Sequence, residues 1–216
     1  MRNRRARWRL VWFAALLLGA ADAMAQRPVL LVLGDSLSAG YGLADLNDSW
    51  VALLAGALHQ RNPPWDTVNA SISGETTSAA LDRVTETLIV EAPTVVLIAL
   101  GANDGLRGLP PAGLSERLQS LARFAKAAGA TPVIAGVRLP LNYGPVYAEK
   151  FAQAFRDAAT AEDAALIENL LEGVDEKRGL FQDDGLHPAT AAQPVIAKHM
   201  GAALAPVLDQ TSSAAP

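Results

Sequence analysis

Five short runs of β-branched or aliphatic residues alternate along this chain with longer segments that have the 3.6-residue period of a helix. The predicted strands are residues 28–33, 67–72, 94–100, 131–137 and 164–170, and the predicted helices are residues 49–60, 77–90, 114–128, 147–162 and 189–208. Strict alternation favours parallel strands joined by crossover helices that cover both faces of one sheet. We therefore expect an α/β fold, a three-layer α/β/α sandwich around a parallel sheet of about five strands.

Residues 1–25 differ from the rest of the chain. They begin with five arginines in "MRNRRARWR", continue with the apolar run "LVWFAALLLGAA" and end with "AMA". A basic start, an apolar stretch too short to cross a bilayer comfortably and a site of small residues are typical of a cleaved secretory signal peptide. We predict cleavage after Ala25 and a periplasmic or secreted mature chain without a stable membrane anchor. The alternative is that the segment is retained as an anchor.

The charge and the residue types of the mature chain exclude several classes of function. Residues 1–25 hold five of the 18 basic residues and one of the 22 acidic residues, which leaves 13 against 21 and a net charge of −8. Such a surface does not favour nucleic acid as a partner. The chain has no cysteine, so disulfides, thiolate zinc sites and a cysteine nucleophile are excluded, and three dispersed histidines leave little to bind a metal.

Polar residues follow the predicted strands, where ligands bind in open parallel sheets. The strand ends are followed by Gly34-Asp35-Ser36, Ser73-Gly74-Glu75, residues 101–105 ("GANDG") and Arg138-Leu139-Pro140, and the loop before the last helix holds Asp183, Asp184 and His187. A hydroxyl, an imidazole and a carboxylate are the groups that acyl transfer requires. The sequence therefore predicts an acyl-transfer site at this edge of the sheet.

The same edge offers hydrogen-bond donors for the negative oxygen of a tetrahedral intermediate. The backbone N–H groups of Gly74 and Ser36 and the side-chain amide of Asn103 are the candidates. Each residue also has an ordinary structural interpretation, since serine caps helices and glycine and asparagine are common in turns. The other two histidines, His59 and His199, fall within predicted helices, so His187 is the one placed to move protons.

Four segments, "GDSLSAG", "NASISGET", "GANDG" and "DDGLHP", resemble the four blocks of the SGNH (GDSL) hydrolase family, in order and over nearly the whole mature chain. The segments "LGDSLSAGYG", "NDGLRG", "RLP", "NYG" and "QDDGLHP" are similar to a subgroup of small periplasmic enzymes that act as acyl-CoA thioesterase, lysophospholipase and arylesterase. A single block is a weak signal. Four blocks at positions that the predicted strands select independently are a strong one.

The resemblance implies a flavodoxin-like SGNH hydrolase domain over residues 26–208, and the polar residues that follow predict a frayed tail at 209–216. It implies Ser36 as nucleophile, His187 as base and Asp184 as the partner of His187, with Asp183 as the competing candidate. The implied oxyanion hole consists of Ser36, Gly74 and Asn103, and the family needs no metal or organic cofactor. Relatives often have an acidic residue and a second glycine where this chain has Ala99 and Ala102. We expect altered backbone freedom near Asn103 rather than lost chemistry.

Five apolar or aromatic residues after the third and fourth strands are candidates for an acyl-binding groove: Leu106, Leu109, Leu139, Leu141 and Tyr143. The alternative is that they close the hydrophobic core. We expect an exported, monomeric serine hydrolase that cleaves small-molecule carboxylic esters and acyl thioesters through an acyl-Ser36 intermediate. A glycan O-acetylesterase of the same family and a non-catalytic binding protein are the alternatives.

Overall fold

A computed structural model describes residues 27–175 and 177–213. Its strands are β1 (Val29–Gly34), β2 (Asp66–Asn69), β3 (Val95–Ala99), β4 (Thr131–Ala135) and β5 (Ala165–Ile167). All neighbouring strands pair in parallel, in the order β2-β1-β3-β4-β5. This is the flavodoxin-like order, in which the chain changes winding direction between β1 and β3. The prediction of a parallel sheet of about five strands is confirmed.

The helices of the described residues are α1 (Ser36–Ala39), α2 (Trp50–His59), α3 (Thr77–Glu91), α4 (Ala102–Leu106), α5 (Pro111–Ala127), α6 (Pro145–Ala161) and α7 (Gln193–Ser213). The five longer helices match the predicted segments. The short helices α1 and α4 were not predicted, because four or five residues show no helical period. Both lie at the carboxyl edge of the sheet, directly after β1 and β3.

Two layers of helices cover the sheet. Helix α2 packs against α7, while α3, α5 and α6 pack side by side. Between these layers, residues 30–33 of β1 are fully buried, and residues 95–98 of β3 are at most 1% exposed. Continuous burial on both faces explains why these strands read as unbroken apolar runs rather than as alternating ones.

The end of α7 corrects one prediction. Residues 209–213 were expected to fray, but they continue α7 to Ser213. The Trp65 indole N–H donates to Ser212 Oγ at 3.2 Å, and Arg61 pairs with Asp209, so residues distant in sequence hold the last turns. Residues 214–216, like the predicted signal peptide and its cleavage site at Ala25, lie outside the described residues.

No helix in the described ranges, 27–175 and 177–213, combines the length and the apolar character that crossing a bilayer requires.

Candidate active site

Ser36 lies at the sharp turn from β1 into α1. The Asp35 carboxylate accepts a hydrogen bond from the Leu37 N–H at 3.0 Å and so caps α1. Glycine is required before it, because a Cβ atom on Gly34 would lie 2.8 Å from the side chains of Ser38 and Ser71. This close packing of strand, turn and helix places Ser36 at the carboxyl edge of the sheet.

The structure brings Ser36, His187 and Asp184 together in one hydrogen-bonded chain. The Nε2 atom of His187 lies 2.8 Å from Ser36 Oγ, and its Nδ1 atom lies 2.6 Å from Asp184 Oδ2. A carboxylate at this distance keeps the proton of the imidazole on Nδ1. The Nε2 atom is then free to accept the proton of the serine hydroxyl.

The charge of Asp184 is stabilised by its own loop. Its Oδ1 atom accepts the backbone N–H groups of His187 at 3.0 Å and Leu186 at 2.9 Å. The His187 backbone N–H, the His187 ring and the Leu186 N–H together lower the pKa of Asp184 to about 2. Asp184 is therefore ionised at neutral pH. The competing candidate, Asp183, is exposed and makes no hydrogen bond to His187 within the described residues.

Contacts from the turn after α1 hold the histidine loop in place. The Gln182 side-chain amide donates to the carbonyl oxygens of Tyr41 at 2.7 Å and Pro188 at 3.1 Å, while its backbone N–H donates to the His187 carbonyl oxygen at 2.8 Å. The Tyr41 ring lies against the His187 ring, with the centroids 4.4 Å apart. Segments that are distant in sequence are thereby joined around the imidazole.

The segments that carry the predicted oxyanion donors touch each other. The Asn103 side-chain amide donates to the Glu75 carbonyl oxygen at 3.1 Å, and Arg107 donates to the Gly74 carbonyl oxygen at 3.0 Å. This bond uses one of the two hydrogens on the Asn103 amide nitrogen, and the same side chain also lowers the pKa of the Asp35 carboxyl. The Gly74 N–H has no acceptor within the described part of the chain. Gly74 and Asn103 flank the topological switch between β1 and β3, where Ser36 also lies.

Alanine at position 102 is accommodated without strain. Ala102 is the first residue of α4, whose helical backbone any residue adopts. The left-handed conformation belongs to the preceding residue, Gly101, with φ of 121°. Glycine is needed there for a second reason, since a Cβ atom would lie 2.9 Å from the Phe155 ring. Ala99 is the last residue of β3 and is buried.

Three carboxylates near the site, those of Asp35, Glu75 and Asp104, are buried, which was not foreseen. Asp35 is 1% exposed, and burial raises its pKa to about 6, against the opposing influence of the Leu37 N–H, the Asn103 side chain and His187. Glu75 is 6% exposed and pairs with Arg83 through two contacts of 2.6 and 2.5 Å. From sequence alone, an acidic residue in a loop after a strand is expected to be exposed to solvent. Only its position next to a candidate catalytic segment could have indicated that it is buried.

The predicted groove residues divide into two kinds. Tyr143 donates its hydroxyl to the Leu106 carbonyl oxygen at 2.8 Å, which joins the segments after β3 and β4, and Leu109 is 36% exposed. Leu139 packs against the hydrophobic core, as the alternative interpretation expected. The side chain of Leu141 lies outside what the structure describes. Within the described ranges, no group of three or more histidine, aspartate or glutamate side chains is arranged to hold a metal ion.

Comparisons with known proteins find similar enzymes. Residues 32–193 match the model of the GDSL-like Lipase/Acylhydrolase family. The chain is 45% identical to "Esterase TesA" of Pseudomonas aeruginosa, with 90% of this chain and 95% of that protein covered. It is 40% identical to "Thioesterase 1/protease 1/lysophospholipase L1" of Escherichia coli, with 95% and 96% covered. It is 41% identical to "Arylesterase" of Vibrio mimicus, with 84% and 89% covered.

Solved structures of similar enzymes show the same fold. The crystal structure of TesA superposes with a TM-score of 0.80 at 46% identity, covering 82% of this chain and 98% of that chain. The psychrotrophic esterase EstA from Pseudoalteromonas sp., inhibited by monoethylphosphonate, superposes with a TM-score of 0.80 at 38% identity, covering 84% and 98%.

Proposed function

The chain belongs to the GDSL-like lipase/acylhydrolase family and is a serine hydrolase, and we propose that it cleaves carboxylic esters and acyl thioesters through an acyl-enzyme on Ser36. The observation that carries the proposal is the contact chain from Ser36 Oγ to His187 and on to Asp184, at 2.8 and 2.6 Å. The names of the relatives support aryl esters, lysophospholipids and acyl thioesters as the substrate classes.

Acylation begins when Ser36 Oγ attacks the carbonyl carbon of the substrate and His187 Nε2 takes the hydroxyl proton. The carbonyl oxygen becomes an anion in the tetrahedral intermediate. The N–H groups of Ser36 and Gly74 and the side-chain amide of Asn103 stabilise this anion. His187 then gives its proton to the leaving alcohol or thiol, and the acyl group stays on Ser36.

Deacylation repeats these steps with water. His187 takes a proton from a water molecule, which attacks the acyl carbonyl carbon. The second tetrahedral intermediate then collapses, the bond to Ser36 Oγ breaks, and His187 returns the proton to Ser36 Oγ as the acid leaves. Asp184 holds the imidazole in one tautomer and stabilises its protonated form in both halves of the reaction. Its ionised state at neutral pH, set by the hydrogen bonds of its own loop, suits this role.

Leu106, Leu109 and Tyr143 are the residues that we propose to border the acyl chain. Leu109 exposes an apolar side chain at the edge of the sheet, and the Tyr143 hydroxyl holds the Leu106 segment. A buried methylene group contributes about 0.8 kcal/mol, so the length of this groove sets the preferred acyl length. Leu139 is partly buried and packs against the core, so it contributes at most part of its side chain to this groove.

The charge pattern of residues 1–25 supports export of the enzyme. The mature chain then acts in the periplasm or the extracellular medium as a monomer that meets its substrates in solution. The test is to express the full chain in a Gram-negative host and measure the N-terminus and the mass of the enzyme in the periplasmic fraction. A mature chain that begins at Gln26 supports export, and an intact N-terminus in the membrane fraction contradicts it.

The activity test is hydrolysis of p-nitrophenyl esters from acetate to palmitate by residues 26–216, beside the Ser36→Ala variant and with acetylated xylan as a competing substrate class. We expect turnover that depends on acyl length and disappears in Ser36→Ala. Clear preference for the acetylated glycan would contradict the proposed substrate class. Absence of turnover on every ester, together with no labelling by a fluorophosphonate, would indicate a binding protein.

A further inference from the structure

Two of the three proposed oxyanion donors, Gly74 and Asn103, lie on different segments, and a buried carboxylate connects these segments. Asp104 follows Asn103 in α4 and is 1% exposed. Its Oδ2 atom accepts the backbone N–H of Thr77 at 2.9 Å, and its Oδ1 atom accepts the Thr77 hydroxyl at 2.6 Å. Thr77 is the first residue of α3, where backbone N–H groups have no partner within the helix. Asp104 therefore ties α4 to the N-terminus of α3.

Arg117 of α5 completes this arrangement. Its Nη2 atom donates to Asp104 Oδ1 at 2.9 Å, and its Nε atom donates to the Thr77 hydroxyl oxygen at 2.7 Å. A charge this deeply buried is tolerated only when it is paired and hydrogen-bonded. We name Asp104, Thr77 and Arg117 the α3–α4 clasp. Each of its members contacts both of the others.

The clasp lies next to the chemistry in sequence. Asn103 directly precedes Asp104, and Gly74 lies three residues before Thr77. Fixing Asp104 to Thr77 therefore sets the distance between the Asn103 amide and the Gly74 N–H. The hydrogen bond from the Asn103 amide to the Glu75 carbonyl oxygen, at 3.1 Å, joins the same two segments closer to the site. The Asp104–Thr77 contact and this hydrogen bond thus hold the segments of Gly74 and Asn103 together.

From this geometry we propose that Asp104, acting through Thr77 and Arg117, is a positioning residue that holds Gly74 and Asn103 in register as an oxyanion hole. The proposal rests on the proposed function. Oxyanion donors act mainly in the transition state, so their displacement lowers kcat more than it raises KM. Displacement by about 1 Å can cost about a hundredfold in rate. A purely structural clasp would change stability and leave the transition-state contacts of the folded enzyme intact.

The test compares four variants of the mature chain on a short p-nitrophenyl ester. Thr77→Val removes the hydroxyl and keeps the backbone N–H, whereas Thr77→Ser keeps both. Asp104→Asn keeps the volume and removes the charge. Arg123→Gln is the matched control, because it breaks an exposed ion pair of the same helix, α5, with Glu162. Ser36→Ala, measured in parallel, reports whether the activity belongs to the proposed site.

We expect kcat to fall about a hundredfold in Asp104→Asn and about tenfold in Thr77→Val, with KM within about twofold of wild type. Thr77→Ser and Arg123→Gln should stay within about twofold in kcat. The second readout is inhibition by an alkyl trifluoromethyl ketone, whose serine adduct carries an oxyanion. Its Ki should rise in Thr77→Val by the factor by which kcat/KM falls, while affinity for the carboxylate product stays unchanged.

Three results would overturn the proposal. The first is a wild-type kcat in both Thr77→Val and Asp104→Asn while Ser36→Ala is inactive. In that case the clasp proposal fails and the proposed function still stands. The second is a loss of kcat without a matching rise in Ki, which assigns the clasp to stability alone. The third is an inactive wild type, which removes the proposed function as well. If Asp104→Asn does not fold, the comparison of Thr77→Val with Thr77→Ser decides the question.

Discussion

Asp35 is the buried group from which the structure predicts a specific dependence of stability on pH. Its Oδ1 atom caps α1, and its Oδ2 atom is buried without a hydrogen-bond partner among the described residues. Burial is the main cause that raises its pKa from 3.8 to about 6, and the nearby Asp104 carboxylate adds to it. The Leu37 N–H, the Asn103 side chain and His187 lower the pKa but do not cancel the effect of burial.

The sign of the effect follows from proton binding. Between about pH 4 and pH 6 the folded chain holds a proton on Asp35 that the unfolded chain has lost, so the free energy of unfolding decreases as pH rises through this range. The change in pKa from 3.8 to about 6 corresponds to about 3 kcal/mol. An asparagine at this position still accepts the Leu37 N–H and never ionises. Relative to Asp35→Asn, the wild type should therefore lose about 3 kcal/mol between pH 3.5 and pH 7.5.

The assay is urea unfolding of wild type and Asp35→Asn at one-unit intervals from pH 3.5 to pH 7.5, with the difference in free energy plotted against pH. Titration of groups that do not interact with Asp35 cancels in this difference, whereas His187 and Asp104 act directly on the Asp35 carboxylate. Asp82→Asn, which changes an exposed carboxylate of α3, controls for the loss of one negative charge. A difference that stays constant across the range would mean that Asp35 keeps its ordinary pKa in the fold, and one that grows in favour of the wild type at high pH would mean that the fold stabilises the Asp35 anion. Either result would refute the reasoning.

Three further predictions concern the reaction. Removing the amide in Asn103→Ala should lower kcat by about 10²- to 10³-fold with little change in KM, and a loss confined to KM would contradict its oxyanion role. Asp184→Asn should lower kcat by about 10⁴-fold. The loss should hold across the whole measured pH range, because the pKa of Asp184 is about 2 and its carboxylate is ionised throughout. A loss of kcat that vanishes at high pH would contradict this. Tyr143→Phe, which breaks the hydrogen bond to the Leu106 carbonyl oxygen, should shift the preferred acyl length in the ester series; an unchanged optimum beside a lower free energy of unfolding would place these residues in the core alone.

The location of the site could be predicted from the sequence because it depends on the ends of strands. The unbroken apolar runs at 29–33 and 94–100 identify central strands, and the residues after them must lie at one edge of a parallel sheet. This argument placed Ser36 and Asn103 among the candidates, and the groups that acyl transfer requires, together with the family resemblance, assigned their roles. The geometry of His187 relative to Ser36 needed the fold, since the two residues are 151 positions apart.

The interior charges could not be predicted in the same way. Asp104 is buried because Thr77 and Arg117, which are 27 and 13 positions away, supply its donors. No local pattern distinguishes such an aspartate from a solvated one in a turn. The end of α7 differs from the prediction for a related reason. The polar composition of residues 209–216 favours fraying, but Trp65 and Arg61 hold its last turns through contacts that only the folded chain creates.

The central claim is that Ser36, activated by His187, forms the covalent intermediate. The most direct measurement is the intact mass of the mature chain after reaction with a fluorophosphonate, followed by peptide mapping, for wild type, Ser36→Ala and His187→Ala. The account predicts one adduct per chain, on the peptide that contains Ser36, no adduct in Ser36→Ala and strongly slowed labelling in His187→Ala. An adduct on another residue, or ester hydrolysis that persists in Ser36→Ala, would contradict it.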